Sequence, residues 1–398
     1  MPARAFVLGG GVAGIAACFE LVDRGYAVEL LEARGRLGGR VFSFADSRLD
    51  DTLDNGPHVM LGCYDSMRRL LRRLGTEQEF VRHPALNLAY REVGGRPHRL
   101  RLSGLPVPLA MPAALCRLSG LSWAERLRAL RGMVSCLRGV PPTWSLEQWL
   151  CARGQNGGPR RFLWDPLCLA VMNAEASEVS AALFLGTLRQ AFRGRASRAA
   201  LWIPRRPWSV IVGDAAERAL AREAVQVTPR FAVRAVCVEG GSITGLRGPD
   251  GAIRDVGADD LVVSALPWHR LARLLPPALG ASPARLRGSA IVNVYFDCGS
   301  RPVLPDEGSL VALVAGSPFQ FVYRRPGARA GCFVLIASGC SALEGVSVSE
   351  IEACARAQIR RFYPDASLPP QARVRVTKEP LATLCTAPGA ERDRPPPG

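Results

Sequence analysis

Lysine is all but missing from this chain: Lys378 stands alone among 51 lysine and arginine residues, and the rest are arginine. The formal charge of +16 therefore reflects a bias of the kind a GC-rich coding sequence imposes, and says little by itself about partners. Aromatics make up only 7% of the residues. Apart from Arg68, Arg69, Arg72 and Arg73 on one expected helix, the arginines are dispersed. Nucleic-acid binding wants basic and stacking side chains gathered on one element, so no nucleic-acid partner is expected. Attraction to an anionic membrane surface is the better use of the surplus. The twelve cysteines contain no C-x-x-C, and the four histidines add no zinc-type spacing, so no metal site is expected. Cys18, Cys237 and Cys332 sit in apolar contexts and read as core thiols in a reducing cytoplasm. No apolar run is long enough to span a bilayer and no internal repeat is present, and because the first residues enter a strand at once no leader is expected. The expectation is a cytoplasmic protein, with peripheral contact at the inner face of the cytoplasmic membrane as a further possibility.

Against these absences stands one dense stretch, "VLGGGVAGIAACFELVDRGYAVELLEARGRLGGR", Val7 to Arg40. An apolar run ends at Gly9, Gly11 and Gly14 in G-x-G-x-x-G spacing, an apolar-periodic helix follows, and a second strand, Val28 to Leu31, ends on Glu32. Gly9 turns the chain out of the strand, Gly11 lets the backbone approach a pyrophosphate, and Gly14 lets helix and sheet pack closely. The helix start, with Val12 and Ala13, offers free N–H groups to the phosphates. Glu32 lies where an acid accepts ribose hydroxyls. Beyond it come Ala33, Arg34, Arg36, Gly38, Gly39 and Arg40, a second bare backbone stretch with cations. This continuation resembles the E-A-R-x-R-x-G-G-R pattern of the flavin amine oxidase and carotenoid desaturase superfamily. The resemblance implies FAD, extended across an α/β, Rossmann-like domain.

Farther along, a helix is expected from Asp65 to Leu74, and short strands over 85–102. "LPVPLAMPAALC", Leu105 to Cys116, is apolar and Pro-broken, and helical patterns run from Trp123 to Phe192. Alternation returns from Val225 to Val238, a hairpin turns near Asp250, and a buried strand is expected at Leu261 to Ala265. Ser349-x-x-Glu352 reads as a capping box opening a helix to Phe362. The expected division is 1–80 and 205–270 for the FAD-binding domain, 81–204 and 271–380 for an interleaved, mixed α+β substrate domain, and 381–398 for a tail.

Three blocks sharpen the resemblance: "DNGPHVMLGCY" (Asp54 to Tyr64), "FLWDPLCLAVMNAEASEVSAALF" (Phe162 to Phe184) and "VVSALPWHRLARLLP" (Val262 to Pro276). They resemble the squalene-associated FAD-dependent desaturases, a group understood as hydroxysqualene dehydroxylases of hopanoid biosynthesis. The resemblance implies reductive removal of an allylic hydroxyl from a linear triterpenoid, with a long apolar channel walled by the 162–192 helices. The 105–116 stretch would form the channel mouth, with Leu109 and Met111 toward lipid. It also places the loop Gly56, Pro57 and His58 beside the flavin ring, His58 as catalytic candidate, and Val233 where backbone groups meet the adenine. Asp54 reads as a turn cap, Asp165 as a helix N-cap before Pro166, and His83 and His98 as edge residues without partners. Superfamily members close the flavin site with a C-terminal L-x-G-D-like segment. Here "RVTKEPLATLCTAPGAERDRPPPG" resembles only the approach to it, so a truncated tail is expected. Two other readings stay open: a carotenoid- or squalene-type desaturase, and a non-catalytic flavoprotein relic.

Overall fold

The computed structural model describes residues 2–274 and 286–390. Leu275 and Pro276 of the third family-like block, and the tail from 391 onward, lie outside the described residues. The first strand, Arg4–Leu8, is buried over four of its five residues. It forms the middle of a four-stranded, all-parallel sheet in the spatial order Gln226–Thr228, Ala27–Leu31, Arg4–Leu8, Leu261–Ser264. Strands from opposite halves of the chain thus meet in one layer. Helix Val12–Asp23 packs Ile15, Cys18 and Phe19 onto it. The edge strand Leu261–Ser264 is half-exposed rather than buried as expected, because only one of its edges is paired.

A three-stranded antiparallel sheet, Ala235–Glu239, Ser242–Arg247 and Ile253–Asp255, covers the other side through Phe231 and Leu246. The rest of the chain is built around a seven-stranded sheet. Its strand order is Arg373–Leu384, Gly288–Asp297, Cys332–Ser338, Phe321–Tyr323, Leu310–Leu313, Asn87–Arg91, Pro97–Arg101. Alternation along Gly288–Asp297 sends Ala290, Val292, Val294 and Phe296 under helix Val348–Phe362. Tyr295 faces the opposite way, into the large core shared with the helices between 107 and 192.

Several local expectations give way here. Helix Val348–Phe362 is capped by Ser347 with Glu350, not by Ser349 with Glu352. Ser347 is the residue with extended backbone, and Glu352 instead pairs with Arg356. Asp165 is not an N-cap, because a π-helical turn, Arg160–Trp164, runs straight into helix Asp165–Met172. Its carboxylate receives the Arg160 Nε–H at 3.0 Å. The Pro-broken stretch is a helix, Val107–Arg117, that turns Leu109 outward but buries Met111 in the core. Met111 is therefore no lipid contact. His98 is buried, with Ser119 Oγ and Glu92 Oε2 at 2.8 and 3.0 Å from its ring nitrogens. Among the described residues, no helix is long and apolar enough to cross a membrane.

Candidate active site

The glycine loop leaves the first strand with Gly9 at φ +102°, a region where only glycine is comfortable. A Cβ on Gly14 would stand 1.9 Å from the Gly9 carbonyl oxygen, so helix and turn are in backbone contact. A Cβ on Gly11 would meet nothing nearer than Gly39 Cα at 3.9 Å. The space in front of Gly11 is open. Gly11 is also the N-cap of helix Val12–Asp23 and has no side chain to cap it, so the first-turn N–H groups face that space. The second glycine pair packs directly on the first. Gly38 N–H donates to the Gly10 carbonyl at 2.8 Å, and a Cβ on Gly39 would stand 2.9 Å from Gly11 Cα.

Glu32, buried at the end of its strand, accepts from Gly10 N–H at 2.6 Å and Arg34 N–H at 2.7 Å. Its carboxylate locks the loop while retaining lone pairs for further donors. Ala33 and Arg34 are exposed. Arg36 lays its guanidinium over Phe42 at 3.8 Å, and its buried Nη1 has no partner among the described residues. Burial pushes its pKa down. Arg40 reaches away instead, donating to the Ala382 carbonyl at 2.7 Å and tying the loop to the last strand. Val233 lies in extended chain just before strand Ala235–Glu239, half-buried, with no backbone hydrogen bond among the described residues. Open space at Gly11, free helix N–H groups, an orphaned guanidinium nitrogen and an unpaired amide at Val233 together fit an extended dinucleotide.

The loop after strand Asp51–Asp54 runs between strand Gly288–Asp297 and Trp208. Gly56 lies against Asn293, where a Cβ would come within 3.1 Å of the amide nitrogen. His58 Nδ1 stands 2.6 Å from the Gly56 carbonyl, and its ring packs edge-on to Trp208. The carbonyl can only accept, so Nδ1 carries the proton and Nε2 is left as an acceptor. Burial lowers the His58 pKa, and the imidazole is neutral at pH 7. Asp54 is buried and accepts from Ser43 Oγ at 2.6 Å and Trp208 N–H at 2.8 Å, while its carbonyl receives the Tyr295 hydroxyl at 2.7 Å. Burial pushes the Asp54 carboxyl above the usual carboxylate range. A small cavity of about 50 Å³ opens beside it, with Pro57, Tyr295, Tyr323 and Arg325 in its wall. The buried Tyr323 hydroxyl has no partner among the described residues.

The family model for flavin containing amine oxidoreductases matches residues 12–397. The chain belongs to this family. It is an FAD-dependent oxidoreductase. Over 334 residues it is 27% identical to a hydroxysqualene dehydroxylase of Sinorhizobium fredii, covering 80% of this chain and 74% of that one. A zeta-carotene desaturase of Synechocystis is 29% identical over 214 residues, 50% of this chain and 43% of the relative. An oxidoreductase structure from Methanosarcina mazei superimposes with a TM-score of 0.69 at 16% identity, covering 94% and 87% of the two chains, and shares the fold.

In this flavoenzyme the Gly9–Gly14 stretch is in direct contact with Glu32, Gly38 and Gly39, whereas Arg40 turns to the last strand. Sequence reasoning passed over Trp208, Tyr295, Tyr323 and Asn293. A readable signal existed for two of them. Asn293 and Tyr295 alternate with Val292, Val294 and Phe296, and a polar atom every second residue in a buried strand marks a face with a purpose. Trp208 carries no such mark, because its partners Asp54 and His58 lie at least 150 residues away in sequence, and Tyr323 carries none because its hydroxyl has no partner among the described residues.

Proposed function

We propose that this oxidoreductase reductively removes the allylic hydroxyl of hydroxysqualene, giving squalene. Support comes from extent rather than identity: hydroxysqualene dehydroxylases match 80% of the chain, whereas the zeta-carotene desaturases match half of it or less. FAD, when bound and reduced, supplies the hydride. The hydroxyl leaves as water once it takes up a proton, and the carbon it leaves gains the hydride, so the substrate is reduced as the cofactor is oxidised. The chain's own task is to hold the carbinol, supply that proton and keep bulk water from an allylic cation. The core shared by the helices of 107–192 and the Tyr295 face of the large sheet is the dry region against which a C30 chain would lie. Asp54, which lines the small cavity and whose pKa burial raises, is the proton donor in this reading. Tyr323 hydrogen-bonds the substrate hydroxyl with its otherwise unpartnered O–H. His58, neutral and with Nε2 free to accept, orients that hydroxyl from the flavin side.

The test incubates the FAD-loaded, chemically reduced protein with hydroxysqualene and identifies the lipid product by chromatography. Squalene supports the proposal. A conjugated polyene made from squalene or phytoene by the oxidised enzyme, with hydroxysqualene untouched, supports the desaturase reading.

A further inference from the structure

Six of the eleven large apolar side chains exposed among the described residues fall in one short stretch: Leu105, Leu109, Trp123, Leu127, Val134 and Leu137. A scatter of single exposed apolar residues is ordinary, but a concentration of this kind is not. Four of the six follow helical spacing. Trp123, Leu127 and Val134 stand at i, i+4 and i+11 of helix Trp123–Ser135, and Leu137, just beyond its end, continues the row at i+14. At 100° per residue these positions fall within about 40° of one line along the helix. Their exposures, 73%, 50%, 62% and 76%, rise where a core helix would have its buried stripe. The fully buried residues of the helix are small, Ala129 and Gly132, and its larger side chains Leu130 and Met133 are only partly buried against the core.

Charge says what covers this stripe. Between Arg117 and Arg138 there are five arginines and a single acid, Glu125. Glu125 is committed to the Ser122 capping box and to Gly158 N–H, on the side of the helix away from the stripe. Arg131 and Arg138 are exposed and flank the apolar row, and Arg126 lies over the Trp123 ring at 4.5 Å. An apolar row edged by guanidinium groups matches the headgroup boundary of an anionic bilayer, with acyl chains beneath and phosphates beside. A protein partner would have to supply both a long apolar groove and a matching acidic rim.

We propose that helix Trp123–Ser135, with Leu137, lies in the surface of an anionic membrane, and that the neighbouring helix Val107–Arg117 adds Leu109 to the contact. This surface stands independently of which isoprenoid the enzyme reduces. Flotation of the full-length protein with vesicles of phosphatidylcholine containing about one-third phosphatidylserine tests it. Binding should be strong at low salt, fall several-fold in high salt, and be weak on pure phosphatidylcholine. Trp123→Ser with Leu127→Ser should lower binding at least tenfold, and Arg131→Gln with Arg138→Gln should remove most of the salt dependence. Val93→Ser and Ile253→Ser, at apolar residues exposed elsewhere to 52% and 49%, should leave binding unchanged. All six substituted residues are exposed, so circular dichroism should show the variants folded. Equal flotation of the Trp123/Leu127 variant and the parent would overturn the proposal. So would a lipid-independent dimer, seen by sedimentation, that the same variant dissolves.

Discussion

Gly11 and Gly14 sit three residues apart, at the N-cap and in the first turn of helix Val12–Asp23, and alanine should affect them in opposite ways. In Gly11→Ala the added methyl meets no protein atom nearer than 3.9 Å, and the backbone, at φ −75° and ψ 178°, is one any residue adopts. Losing glycine's advantage at an N-cap costs about 0.5–1 kcal/mol. The reduced freedom of the unfolded chain returns about 0.4–1 kcal/mol. The apoprotein should therefore keep its unfolding free energy within about 0.5 kcal/mol. The same methyl occupies the space a pyrophosphate needs to reach the helix N–H groups. Losing even two charge-assisted hydrogen bonds, at about 1.5 kcal/mol each, weakens FAD binding roughly hundredfold. In Gly14→Ala the methyl would lie 1.9 Å from the Gly9 carbonyl oxygen, backbone that cannot step aside. Helix propensity favours alanine by about 1 kcal/mol, but overpacking against fixed backbone costs about 1–3 kcal/mol or more. That variant should lose stability even without cofactor. Urea unfolding of the apoproteins and fluorescence titration with FAD measure both effects. Parent-like FAD affinity in Gly11→Ala, or parent-like stability in Gly14→Ala, would refute the reasoning.

Arg36→Ala removes a buried guanidinium nitrogen that has no hydrogen-bond partner among the described residues, so apoprotein stability should fall only by the lost contact with the Phe42 ring, about 0.5–1 kcal/mol, while the FAD dissociation constant rises at least tenfold, read by the same titration. Asp54→Asn should lower turnover about a hundredfold and flatten the alkaline limb of its pH profile, if Asp54 supplies the proton. The same variant has a stability signature. Burial raises the Asp54 pKa, so its favourable share is complete below the ordinary carboxylate value, near 4, and is lost as pH rises through the raised value. Thermal unfolding of Asp54→Asn should lack that loss. Asn173→Ala should cost about 2–3 kcal/mol in urea unfolding. Its side chain donates to Thr383 Oγ1 at 3.0 Å and accepts from Gly339 N–H at 2.9 Å, joining helix Asp165–Met172 to the large sheet.

What the sequence revealed well was local. The βαβ unit was legible because its deciding contacts, Gly14 on Gly9 and Glu32 on Gly10, span at most 22 residues, and Asp65–Leu74 because Gly75, at φ +74°, ends its pattern. Errors clustered where short motifs overlap. Ser347 and Ser349 both precede a glutamate by three, and only backbone direction decides between them. Asp165 before a proline reads as a helix start, yet the preceding π-turn makes it helix interior. Met111 and Leu109 look alike as apolar residues between prolines, and only the packing of helix Val107–Arg117 separates them. The polar cluster at Asp54 was the least visible. Ser43, Trp208 and Tyr295 reach it from three separate regions of the chain, a convergence that no spacing records.

The central claim is that electrons pass from reduced flavin to an allylic alcohol. Its most direct measurement is a single anaerobic turnover. The FAD-loaded enzyme, reduced chemically in deuterated water, is mixed with hydroxysqualene while the flavin absorbance is followed. The account predicts that oxidised flavin returns at the rate squalene forms, one for one, with a single deuterium at the former carbinol carbon. Reduced flavin that persists beside unchanged hydroxysqualene, in an enzyme whose oxidised flavin bleaches on adding squalene or phytoene, would contradict it.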